Sequence, residues 1–169
     1  MKFKAIVVGL LLCALMVSGA ICPSSTSPSG TIEKPKVSFV PADWYLSADD
    51  AYSSSLGYGL VEYTDSWDGD FVQIFYGYMP ESLKGHEADG NALISQAVSE
   101  AIFTPDDTGM MTVAGRLAGY AEAYDDYWYW WETEIVFVYG TTYVDIYTIY
   151  NASVADIQDA TNLIESIYF

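Results

Sequence analysis

Between Tyr58 and Met79 the apolar residues recur with the two-residue period of strands, in "YGLVEYT" at Tyr58 to Thr64 and "FVQIFYGYM" at Phe71 to Met79. The turn formers Asp65-Ser66-Trp67-Asp68-Gly69-Asp70 separate the two runs, which predicts a hairpin. In the second run Val72, Ile74, Tyr76 and Tyr78 make one face wholly apolar, and Phe71, Phe75 and Met79 make the other largely so. Such a strand is covered on both sides. The period then changes. Over Ala88 to Phe103, Leu93, Ile94, Ala97, Val98, Ala101 and Ile102 fall on one helical face, with Ser95, Gln96, Ser99 and Glu100 opposite, until Thr104-Pro105-Asp106-Asp107 stops the helix.

Three further strands are predicted at Met111 to Tyr124, Tyr129 to Tyr139 and Thr142 to Tyr150, joined by Asp125-Asp126 and by Gly140. A closing helix has Ser153 as N-cap, Asp156 three residues on, and Ile157, Ala160, Leu163, Ile164 and Ile167 as its buried stripe. Upstream, Pro41 and "DWYL" open a first short strand in a domain that starts at Val37. An apolar sheet needs cover on both faces, so the expected class is α+β, an antiparallel sheet flanked by helices.

Composition changes the picture by its charge. The chain has 169 residues, 51% of them hydrophobic, and a formal charge of −17, with 6 Lys and Arg against 23 Asp and Glu. A surface this acidic repels phosphate backbones, so nucleic acid is not an expected partner. The first residues carry their own message. Lys2 and Lys4, the apolar run Ala5 to Val17 and the small residues Ser18-Gly19-Ala20 read as a signal peptide over residues 1–21. Cys13 and Cys22 are the two cysteines, so the domain at 37–169 has neither a disulfide nor a thiolate metal site. Gly19-Ala20-Ile21-Cys22 resembles a lipobox, with Cys22 as the lipidated residue and the Ser/Pro-rich stretch through residue 36 as a tether. The alternatives are cleavage after Ala20, leaving a secreted domain, and an uncleaved signal anchor. All of them place the domain outside the cytoplasm.

Val113-Ala114-Gly115-Arg116-Leu117-Ala118 as a strand entry, the long aromatic strand after it, "YVDIYTIY" at Tyr143 to Tyr150 and the terminal helix resemble the second half of a PsbP-like domain. That superfamily of PsbP and Mog-like proteins includes exported prokaryotic lipoproteins. The resemblance implies an α-β-α sandwich and a non-enzymatic role in binding or assembling another protein or membrane complex. His86 is the single histidine, so no histidine-pair metal site comes with it.

Candidate chemistry is sparse. No nucleophile motif, phosphate loop, metalloprotease motif or cofactor signature appears, and no metal site is predicted. The stretch Tyr124-Asp125-Asp126-Tyr127-Trp128-Tyr129-Trp130-Trp131 is the densest feature. Read as one strand, Tyr127, Tyr129, Trp131, Thr133, Ile135, Phe137 and Tyr139 share a core face, while Trp128 and Trp130 share a mixed face with Glu132, Glu134, Val136 and Val138. Trp128 and Trp130 are candidate ligand-binding residues, for a partner protein or, alternatively, for a glycan. Asp65, Asp68 and Asp70 around Gly69 are a candidate weak cation site. An EF-hand register would put Phe75 at its twelfth position, which fails that motif, and a hairpin loop accounts for the acids. Asn151-Ala152-Ser153 is a candidate glycosylation site. A third class of function, a hydrolase working with carboxylates brought together by the fold, remains as an alternative.

Overall fold

The computed structural model describes residues 30–66 and 69–169. The order is β1 (Lys36–Val37), β2 (Trp44–Ser53), β3 (Tyr58–Asp65), β4 (Phe71–Tyr78), a 3-10 turn at Glu81–Leu83 and helix α1 (Gly90–Glu100). There follow β5 (Asp107–Val113), β6 (Arg116–Asp125), β7 (Trp130–Tyr139), β8 (Thr142–Asn151), helix α2 (Val154–Glu165) and β9 (Ile167–Tyr168). Seven strands make one antiparallel sheet in the order β2-β3-β4-β8-β7-β6-β5. It consists of two meanders joined where β8 pairs along β4, Ile74 opposite Ile146. β1 and β9 pair apart from it, Val37 opposite Ile167. The class is α+β, as expected.

β4 and β8 are central and apolar on both faces, which is why each face carries a helix. On one, Val72, Ile74, Ile135, Phe137, Val144 and Ile146 pack with Ala160, Leu163 and Ile164 of α2. On the other, Ala121, Val136 and Val138 pack with Leu93 and Ala97 of α1. Residues 135 to 138 alternate between these two clusters, as the strand period demands. α1 approaches closely because β6 carries glycine below it: a Cβ on Gly119 would lie 2.3 Å from the Leu93 carbonyl carbon. At the α2 end, Ser153 caps as predicted, its Oγ accepting from Asp156 N at 3.2 Å.

Four expectations change. The run read as one strand from Met111 to Tyr124 is two, β5 and β6, because Ala114 and Gly115 take φ of 50° and 71° and close a tight turn between Val113 and Arg116. The first strand is longer than "DWYL", reaching Ser53 as an irregular edge strand with breaks in register after Leu46 and after Asp50. Of the predicted stripe, Val98 within α1 and Ile102 beyond its end at Glu100 both lie exposed. Ile167 is buried, but on β9 rather than on α2. Contacts also reach upstream of Val37: Ile32 packs on the core, and Glu33 N donates to Thr142 Oγ1 at 2.8 Å.

Candidate functional site: the aromatic tip of the β6–β7 hairpin

Asp125 closes β6 opposite Trp130, leaving Asp126, Tyr127, Trp128 and Tyr129 as a four-residue connection. The Asp125 side chain organises it, Oδ1 accepting from Tyr127 N at 2.8 Å and Trp128 N at 2.9 Å, as aspartates do in turns. Tyr129 N donates to Asp125 O at 2.8 Å, and Ala152 N donates to Tyr129 O at 3.1 Å, so the connection is tied at both ends. Tyr129 itself has φ of 60°, a left-handed conformation that costs a non-glycine residue about 1 kcal/mol or more.

This turn holds its rings outward. Tyr127, Trp128 and Tyr129 are 78%, 51% and 66% exposed. Trp128 stacks on Trp130 with centroids 5.6 Å apart and planes 22° from parallel, and Tyr127 meets Trp128 edge-on at 4.8 Å. Trp130 is the foundation: half-buried, it packs against the cluster of Tyr147, Ile149, Phe71 and Phe103, with Nε1 facing no acceptor. The parity reading therefore needs correction. Tyr127 and Tyr129, expected on a core face, precede the strand and sit in the turn. Trp131, assigned to the same face, is half-buried beside Tyr124, rings 5.2 Å apart. Core on that face begins at Ile135 and Phe137.

The remaining candidates are dispersed. Asp70 is buried, and its Oδ1 accepts from Asn151 N at 3.1 Å, a bond that fastens the start of β4 to the end of β8. Asp65 N donates to Asp70 O across the same loop at 2.9 Å. Asp68 and Cys22 lie outside the described residues, as do the expected signal peptide and most of the expected tether. No group of three or more His, Cys, Asp or Glu able to hold a metal occurs among the described residues. Asn151 is exposed at the end of β8, with Ser153 of its sequon engaged as the α2 cap.

Sequence reasoning missed a pair of acids. Glu134 and Asp145, 2% and 5% exposed, lie diagonally on neighbouring strands of the face that α1 covers, two residues out of register. Burial pushes the Glu134 carboxyl well up, reinforced by Asp145, and burial likewise raises Asp145 to about 6. One oxygen of each carboxyl, Glu134 Oε1 and Asp145 Oδ1, is buried without a hydrogen-bond partner. Glu100 of α1 adds negative charge beside them, and Tyr143, half-buried with its hydroxyl sealed, is pushed well up by desolvation first and by Asp145 second. Tyr147 donates to Glu132 Oε2 at 3.1 Å in the same layer. The signal was present in the pattern as acids at inward positions of a strand with apolar residues on both faces.

No protein-family model matches the chain, and no curated protein does. It is similar to a solved structure, the extracellular domain of PknH from Mycobacterium tuberculosis, at 13% identity over 92% of this chain and 89% of that one, with a TM-score of 0.33. A likeness of that size assigns neither fold nor activity.

The arrangement at the tip can do one kind of chemistry well. An indole face stacked on a second, anchored indole is rigid, apolar and pre-organised, so contact there costs little side-chain entropy.

Proposed function

We propose that the chain is a non-enzymatic, extracytoplasmic binding or assembly module, a PsbP-like α-β-α sandwich tethered near a membrane, and that the β6–β7 tip is its contact with a partner protein. The observation that carries this reading is the exposure of Tyr127, Trp128 and Tyr129 on a turn built to hold them. Exposed aromatics over an anchored one are the composition of interface hot spots. One helix on each face of the sheet supports the PsbP-like reading. The location rests on the leader and Cys22. The sealed position of Glu134 and Asp145 supports a role other than hydrolysis, since no substrate reaches them beneath α1.

A carbohydrate-binding role is the second reading, favoured by the near-parallel stack of Trp128 on Trp130, which leaves a flat ring for a sugar. The test is a photo-crosslinking residue in place of Tyr127 in intact cells. A discrete protein adduct that disappears with Trp128→Ala is the expected result. Retention on a polysaccharide column that Trp128→Ala abolishes, with no protein adduct, would overturn the assembly role in favour of the glycan.

A further inference from the structure

The α2 face of the sheet holds a second feature, away from the aromatic tip. Between α2 and strands β5 to β8 lies a half-open cavity of about 230 Å³. Its floor is a cross-strand row in which Glu122 lies opposite Thr133 and Thr133 opposite Thr148. Tyr120 and Tyr150 flank that row, and Met111 and Ile164 supply apolar wall and roof.

The polar groups are only partly used among themselves. Thr133 Oγ1 and the Tyr150 hydroxyl share one long contact of 3.4 Å. Thr148 is 0% exposed, and its Oγ1 meets no hydrogen-bond partner. A buried hydroxyl without a partner costs free energy, so its presence needs a reason. Glu122 raises the same question. Its carboxyl is pushed up by desolvation first and by Asp107, directly opposite on β5, second, and neither lysine nor arginine lines the cavity.

The missing ingredient is a positive charge that can donate several hydrogen bonds. An anion would meet the Glu122 and Asp107 charges in a molecule of net charge −17. A neutral polyol would leave the carboxylate uncompensated. Calcium takes six to eight oxygen ligands, often several of them carboxylates, and this floor offers one carboxylate and hydroxyls. A primary ammonium matches what is there. It has three donors, for Glu122 and for the hydroxyl oxygens of Thr133, Thr148 or Tyr150. Tyrosine rings attract cations, and a short aliphatic tail suits Met111 and Ile164.

We propose that this cavity is a binding site for a small primary ammonium compound, with Glu122 as its counter-ion and the Thr133–Thr148 hydroxyls as its acceptors. The proposal is independent of the partner assigned to the hairpin tip. It is tested by NMR titration of the intact chain with n-butylammonium chloride at constant ionic strength, beside n-butanol and tetramethylammonium chloride. Butylammonium is expected to bind saturably, with a dissociation constant on the order of 1 mM and shifts centred on Tyr120, Thr148 and Tyr150. Glu122→Gln weakens it roughly tenfold or more, as loss of a charged hydrogen bond does. Thr148→Val, which breaks no existing hydrogen bond and so keeps the fold, weakens it by roughly threefold or more. Shifts that never saturate, equal binding of butanol or tetramethylammonium, or undiminished binding by folded Glu122→Gln would each overturn the site.

Discussion

Trp128 and Trp130 touch each other, yet their energetic roles differ because only one of them sits on the core. Trp130 belongs to the cluster with Tyr147 and Ile149, and removing its side chain leaves a void that neighbours fill only in part. Trp130→Ala is expected to cost roughly 2 to 4 kcal/mol in urea unfolding. Trp128→Ala loses one stacked pair at a solvent-facing turn and is expected to cost about 1 kcal/mol or less. Losses of equal, large size would make the whole tip structural and remove the reason to see a contact surface there. The sequence pointed to these rings but not to their arrangement. Parity along a strand cannot place residues in the turn before it, and the turn starts at Asp125 because of a side-chain bond to the Tyr127 and Trp128 amides.

At the level of elements, the hairpins and both helices were legible wherever a period ran unbroken between turn formers. The β3–β4 hairpin and α2 with its Ser153 cap came out close to their expected bounds. The β5–β6 turn was hidden by its chemistry: alanine occupies a position that usually announces itself as Asn, Asp or Gly. β2 was hidden by being an edge, polar where an inner strand would be apolar. How α1 sits could not be read at all, since it depends on Gly119 lying under the Leu93–Ile94 backbone. Gly119→Ala puts a methyl against backbone rather than against a side chain that can rotate away. It should therefore destabilise by roughly 1 to 3 kcal/mol and speed amide exchange through α1. Exchange in α1 as slow as in the unmodified chain would show that the contact has slack.

Across the whole molecule, the buried acids set how stability answers pH. The folded state holds the Glu134 and Asp145 protons more tightly than the unfolded chain, where carboxyls titrate near 4. The sign follows. Their contribution is fully present below about pH 4 and is lost as pH rises through the folded value of about 6 for Asp145. For Asp145 alone the loss is on the order of 3 kcal/mol. The thermal midpoint should fall as pH rises from about 4 to about 7, and Asp145→Asn, which needs no proton to remain neutral, should flatten the part of that fall that Asp145 contributes. A midpoint that rises with pH would contradict the burial of a protonated pair.

Gly30 and Thr31 enter the fold beside the β7–β8 turn, where Thr141 Oγ1 donates to Thr31 O at 2.8 Å. The aromatic tip is at the other end of β7, and ten residues of strand at about 3.3 Å each put roughly 30 Å between the two. The domain thus has a proximal pole, where the chain arrives, and a distal pole, where the rings are displayed. A copy held by its N-terminus would carry Tyr127 and Trp128 outward like the head of a pin, facing whatever lies across the gap and turned away from the surface that holds it.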